Sequence, residues 1–286
     1  MRRADRHQAA TGRGAVSNPA GIMQGENRNL SVLFSHVAGF GDISESANDP
    51  AELLAQLNRY FELMVDAVLA QGGIVDKYID DAVMAIFGAP VKHEDDEMRS
   101  VKTGFAMLDA AARFNLEQKK AGRPEFPTSV GISYGVVTVG NIGCDKRMDY
   151  TVIGDRVNLA SRAQGMCKVY HEPLVFTGSV HRKVKDLVAW RLIDNVAVKG
   201  KRDAEKIYTA RRTLSGREKQ AWTMHNAAMA EYFPNRNFDT ALRLFEQVQK
   251  LVPGDNLSGM MIERCRVYRE RPPAPGWEGY EVMQKK

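Results

Sequence analysis

Ile74-Val-Asp-Lys-Tyr-Ile-Asp-Asp-Ala-Val-Met-Ala-Ile-Phe87 sets two short, largely apolar runs on either side of Asp80-Asp81. Two polar residues between strand-forming runs are the mark of a tight β-hairpin, so strands are predicted over Ile74–Ile79 and Ala82–Phe87. Upstream, Ser31-Val-Leu-Phe-Ser-His36 is short, apolar and followed by Gly39 and Gly41, the pattern of a buried strand. Between the two lies Pro50 to Gln71, where Leu53, Leu54, Leu57, Phe61, Met64, Val65 and Val68 recur at helical spacing before Gly72-Gly73. Downstream, the pattern predicts a helix over Asp96–Lys120, strands near Thr128–Tyr134 and Val136–Asn141, and a helix from Arg156 to Met166. Alternating strand and helix pieces continue to Arg212. Strand, helix, hairpin, helix, strand is the order of an α+β, ferredoxin-like sheet with helices packed on one face.

The flanks differ from this centre. Residues 1–29 are rich in Arg, Ala, Gly and Asn without periodicity and read as a disordered leader. Residues 30–212 form the expected catalytic-sized domain, and 213–286 a small all-α tail with amphipathic helices over Leu214–Phe233, Phe238–Val252 and Asn256–Glu270. Within the tail, Ala241-x-x-x-Phe245 with Pro253 after it is tetratricopeptide-like. One such repeat cannot bury its own face, so the tail is expected to dock on the domain or on a protein partner.

Composition narrows the function classes. With 44% apolar and 26% charged residues among 286, the chain can bury a sizeable core. No run approaches the roughly 18 apolar residues of a membrane span. The formal charge of +5 sits largely in Arg2, Arg3, Arg6, Arg13 and Arg28, with no basic, aromatic-interleaved face of the kind that binds nucleic acid. Cys144, Cys167 and Cys265 are scattered, which argues against a disulfide framework or zinc site and for a reducing, cytoplasmic setting.

Three groups of residues are candidates for chemistry. Asp81 stands at the hairpin tip, where the end of the Ser31–His36 strand can lie beside it, and acidic groups so placed hold divalent cations against phosphates. Taken alone, Asp80-Asp81 is more simply a polar turn, since Asp tolerates turn geometry. Asn158 and Arg162 are four apart and share a helical face, which suits ribose and phosphate oxygens as well as it suits plain solvent. Lys199 and Lys201 flank Gly200 in a predicted turn that can meet a triphosphate.

Together these residues resemble a known family. Val32-Leu-Phe-Ser-His-Val-Ala-Gly-Phe40, Asp76-Lys-Tyr-Ile-Asp-Asp-Ala-Val-Met-Ala-Ile-Phe-Gly-Ala-Pro90, Gly140-Asn-Ile-Gly143, Met148-Asp-Tyr-Thr-Val-Ile-Gly-Asp-Arg-Val-Asn-Leu-Ala-Ser-Arg162 and Val198-Lys-Gly-Lys201 resemble, in order, the class III adenylate and guanylate cyclase catalytic domain of bacterial type. The resemblance implies that Asp81 is a metal-binding Asp, that Lys77 and Thr151 read an adenine base, and that Asn158 positions the ribose. It implies that Arg162 stabilises the transition state and that Lys199 meets the terminal phosphates. It further implies ATP as substrate, two divalent cations (Mg²⁺ or Mn²⁺), and a site shared between two chains, in a homodimer or a heterodimer with another cyclase chain. Three positions depart from the pattern: His36 stands in place of the first metal-binding Asp, Asp80 in place of Gly, and Gly41 in place of a hydroxyl residue. Asp80 is therefore a possible substitute carboxylate. Two function classes follow, an adenylate cyclase and a cyclase-like nucleotide-binding or dimerising regulatory module.

Overall fold

The Asp80-Asp81 turn joins β2 (Ile74–Ile79) to β3 (Ala82–Phe87), with Ile79 facing Ala82 and Ile74 facing Ile86. The computed structural model describes residues 25–144, 146–198, 204–277 and 279–283. The register slips once, between Val75 and Lys77, and leaves Asp76 as the extra residue of a β-bulge. On the other side, β1 (Glu26–Val37) pairs antiparallel with β3 and with β4 (Thr128–Cys144). The order β2-β3-β1-β4 is the expected ferredoxin-like one, and β5 (Arg147–Ile153) pairs with β4. Beyond β4, the sheet continues through β6 (Leu174–Thr177), β8 (Ala204–Arg211), β7 (Ala189–Val198) and β9 (Glu281–Met283).

Three differences from the expected elements have physical causes. Residues 26–29, read as part of the leader, are the start of β1 and pair with Val136–Val139. The two strands predicted near residues 128–141 are one, because Gly135 at φ 151 carries the chain on through a conformation that side chains rarely adopt. The helices do not all lie on one face. Leu33 and Val37 of β1 point to the side covered by α2 (Pro50–Ala70) and α3 (Asp96–Lys120), with Tyr60, Met64, Val101 and Phe114. Leu30, Val32 and Phe34 point the other way, and that second apolar face is covered in part by α4 (Asp155–Tyr170) through Ala160. A strand apolar on both sides needs cover on both.

α4 lies unusually close to the sheet. A Cβ on Gly131 of β4 would stand 2.1 Å from the backbone nitrogen of Gln164, so only glycine permits this approach. Two short helices, α1 (Phe40–Glu45) after β1 and α5 (Gly178–Val184) after β6, complete the domain.

The tail forms α6 (Gly216–Tyr232), α7 (Phe238–Leu251) and α8 (Asn256–Glu270), close to the predicted spans. Each starts at a side-chain cap: Ser215 in a capping box with Glu218, then Asn237, then Asp255. As expected, the tail docks on the domain. Arg191 of β7, 1% exposed, is ion-paired with Glu172 of the domain and, at 2.7 Å, with the α8 cap Asp255. Asp194 joins Arg264 of α8 to Tyr170 of α4, and Leu192 exchanges hydrogen bonds with Asn226 and His225 of α6. Truncating one partner of a buried ion pair strands the others without water. Arg191→Ala is therefore expected to cost about 3–5 kcal/mol in denaturant unfolding, and a loss below about 1 kcal/mol would show that the clamp is solvated.

Candidate active site

The hairpin tip and the end of β1 meet as the sequence implied. The register that sets Ser35 against Val83 carries Val37 to Asp81, and the Val37 backbone N–H donates to Asp81 Oδ2 at 3.0 Å. His36 Nε2 lies 3.3 Å from the same oxygen. Asp81 is buried, while the His36 side chain is 37% exposed and so faces the open side. Asp80 is exposed, with φ 53, a left-handed conformation that Asp adopts more readily than most residues. Behind Asp81, the Tyr60 hydroxyl meets Thr128 Oγ1 at 2.9 Å; burial and the Asp81 charge both push its phenol upward. From α4, Gln164 donates to Ser129 Oγ at 2.8 Å, and Ser129 reaches the His36 carbonyl at 3.4 Å. The helix is thereby tied to the end of β1.

The donor chemistry of this corner suits one divalent cation better than two. A carboxylate oxygen and an imidazole nitrogen 3.3 Å apart are spaced much as neighbouring ligands of one ion, about 3 Å for bonds near 2.1 Å. Mn²⁺ accepts that mixed set, whereas Mg²⁺ prefers oxygen throughout. His36 Nδ1 is buried without a hydrogen-bond partner among the described residues, so no neighbouring acceptor there holds the ring in a ligating tautomer. Among the described residues, no group of three or more His, Cys, Asp or Glu side chains gathers as a metal site.

A second cluster joins residues far apart in the chain. Thr151 Oγ1 donates to Asp76 Oδ2 at 2.9 Å, across 75 residues, and Lys77 Nζ lies 3.3 Å from the same oxygen. Lys77 and Thr151, singled out separately by their resemblance to base-reading positions, are thus brought together by Asp76. Burial raises the Asp76 carboxyl, against the pull of Thr151 and Lys77. Sequence reasoning missed Asp76. Its only signal was an acidic residue beside Ile74 and Val75 in a strand.

Asn158 and Arg162 lie on the exposed side of α4, one turn apart. Among the described residues, no hydrogen bond joins either to the Asp81–His36 corner or to the Lys77–Thr151 cluster. Lys199 and Lys201 lie outside the described residues. The acidic residues from Glu94 to Glu97 serve α3, whose Asp96 accepts from the His93 N–H at 2.9 Å.

Residues 22–211 match the adenylate and guanylate cyclase catalytic domain. The chain belongs to that family. Adenylate cyclase 1 of Rhizobium meliloti (strain 1021) is 34% identical over 181 residues, and the adenylate cyclase of Anabaena cylindrica is 37% identical over 188. Each alignment covers 63% of this chain but only 27% and 36% of the relative, so the chain spans about a third of their length. Among solved structures, the adenylyl cyclase CyaB from P. aeruginosa aligns with a TM-score of 0.60 at 32% identity, over 68% of this chain and 100% of that one. The guanylyl cyclase Cya2 aligns equally well, at 0.60 and 30%, over 68% and 97%. Overall likeness therefore does not choose the base, and the cyclase domain's own residues must. The three tail helices begin beyond the matched stretch.

Proposed function

We infer that this cyclase domain converts ATP to cyclic AMP and pyrophosphate, the ribose 3′-hydroxyl attacking the α-phosphate. The observation that carries the reading is the Lys77–Asp76–Thr151 cluster, since Lys at the first position and Thr at the third resemble the adenine-reading pair. Attack within one molecule gains most from orientation. Asn158 on α4 orients the ribose, while Arg162 and Lys199 stabilise charge growing on the phosphates with fixed donors. Asp81 and His36 would hold a divalent cation, with the exposed Asp80 as a further carboxylate at the tip. The two cations of the family, when bound, acidify the 3′-hydroxyl and neutralise phosphate charge.

The site is completed across a dimer of two such chains, or of this chain and another cyclase. Ile142 of β4 and Met148, Tyr150 and Ile153 of β5 are exposed on a projecting pair of strands, an apolar surface suited to a second chain. The tail supports a tetratricopeptide-like reading in that Ala241 and Phe245 are fully buried between its helices, and its outer surface is the candidate for a protein partner. No helix among the described residues is long and apolar enough to cross a membrane. With three free cysteines, a cytoplasmic setting fits.

A second reading has one specific observation in its favour. His36 occupies Asp81 where a carboxylate partner is expected, which fits an impaired cyclase-like domain acting as a nucleotide-binding or dimerising module. Nucleotide preference tests the first reading. Purified protein should form cyclic AMP faster than cyclic GMP under matched conditions, and Lys77→Glu should lower kcat/KM for ATP about tenfold or more through loss of a charged hydrogen bond. Faster cyclic GMP formation, or unchanged kinetics in the variant, would overturn it.

A further inference from the structure

Asp76 is held in a way that suits orientation of its neighbours rather than contact with substrate. As the extra residue of the β2 bulge, it turns its side chain inward to 1% exposure, while Lys77 beside it stays 43% exposed. Its Oδ2 takes the Thr151 hydroxyl and faces the Lys77 ammonium. Its Oδ1 is buried with no hydrogen-bond partner among the described residues. A carboxylate withdrawn from water and left with a bare oxygen is costly. It ties β2 to β5, two strands that pair with β3 and β4 rather than with each other.

An ionised carboxylate has no proton to give, and a threonine hydroxyl has one. Directed at Asp76, the Thr151 proton is used, and only the lone pairs of its oxygen remain for a ligand. Lys77 has three N–H donors and no acceptor. Viewed from the open side, the cluster offers an acceptor next to a donor, and neither role can reverse while Asp76 is charged.

We propose that Asp76 is a specificity-determining positioning residue, which holds Thr151 as acceptor beside Lys77 as donor and so selects a purine with an amino group at C6. This rests on the reading above, in which Lys77 and Thr151 meet the base. Adenine presents a donor at its C6 amino group and an acceptor at N1. A 6-oxo purine such as guanine presents the reverse pair and meets like with like at both points. Asp76 touches neither base nor phosphate and acts through Thr151 and Lys77.

Asp76→Asn tests the proposal with nearly unchanged volume. An amide can turn its NH₂ toward Thr151, which frees the hydroxyl proton for a carbonyl at C6. The ratio of kcat/KM for ATP to that for GTP is expected to fall about tenfold, mainly through KM, as for one mispaired hydrogen bond. A purely structural role for Asp76 would slow both nucleotides alike, and an unchanged ratio would overturn the proposal. Calorimetric binding of 3′-deoxy nucleoside triphosphates with Mn²⁺ supplies a readout without turnover and without a variant. The native chain should bind 3′-deoxy-ATP about tenfold more tightly than the same triphosphate with C6 unsubstituted. Equal affinities would overturn the proposal even if Asp76→Asn fails to fold. A native chain that prefers ATP, with that ratio intact in Asp76→Asn, defeats this proposal alone. A native chain that binds neither ATP nor GTP defeats it together with the proposed function.

Discussion

Asp81→Ala and Arg162→Ala chains are each expected to form cyclic AMP at about a hundredth of the native rate or less, and an equal mixture of the two to recover about a quarter of it. The loss is expected because one chain lacks the carboxylate proposed to hold a cation and the other the guanidinium proposed to stabilise phosphate charge. The recovery follows from the proposed sharing of the site between two chains. Asp81 sits in the hairpin between β2 and β3 and Arg162 on the exposed side of α4, and among the described residues no hydrogen bond joins these two side chains, although Gln164 and Ser129 tie α4 to the end of β1. A twofold pair repeats its interface and so presents two equivalent clefts, each of which, in the proposed dimer, takes Asp81 from one chain and Arg162 from the other. Random pairing places about half the chains in mixed dimers, where one cleft carries both changes and the other neither. Asp81→Asn keeps an acceptor for the Val37 N–H and can replace the alanine chain should that prove unstable. No recovery, with mixed dimers verified by mass, would locate the whole site within one chain.

His36→Asp is expected to raise Mg²⁺-dependent cyclic AMP synthesis about 10–100-fold and to lower the ratio of Mn²⁺ to Mg²⁺ activity. The His36 ring already lies 3.3 Å from Asp81 Oδ2, so a carboxylate at this position starts from the correct side of the strand. Oxygen for nitrogen suits Mg²⁺, and a second negative charge gathers cations that one carboxylate attracts weakly. Without metal, the two carboxylates repel each other, so the variant should also melt lower in chelator and regain stability with Mg²⁺. Pairing it with Asp80→Gly relaxes the φ 53 turn and removes the alternative carboxylate in one step. Both variants inactive with either metal, yet folded and dimeric, would favour the impaired-module reading. Brisk native turnover with Mg²⁺ would show that His36 is no defect and point to Asp80 as the replacing ligand.

How much of this was legible in the sequence varied with the kind of constraint. The hairpin strands fall where they were expected because a two-residue gap leaves little choice of register. The helix over Asp96–Lys120 was equally plain from its spacing and its acidic start. β5 was not anticipated, since its alternating residues take meaning only from pairing with the far half of β4. Nor was the second covered face: α4 buries Leu159, Ala160, Ala163, Met166, Cys167 and Tyr170, a broad surface without a sharp polar side.

At the site, strand and turn allowed His36 to lie near Asp81, but on spacing alone the same residues fitted a plain polar turn better. The union of Lys77 with Thr151 had no local signal and came only through resemblance to the family. Asp76 was invisible for a physical reason: a bulge resets the in–out alternation of a strand, and sequence period cannot show where one falls. Arg191 was hidden likewise, because a buried arginine is recognisable only with Glu172 and Asp255 around it.

The proposed reaction is cyclisation of ATP beside a metal corner altered by His36. Its most direct test is incubation of the purified chain with ATP, in Mn²⁺ and Mg²⁺ separately, with the products resolved by chromatography. Cyclic AMP and pyrophosphate are expected in equal amounts, formed faster with Mn²⁺ than with Mg²⁺. A folded, dimeric protein that binds ATP and yields no cyclic AMP with either metal would contradict it.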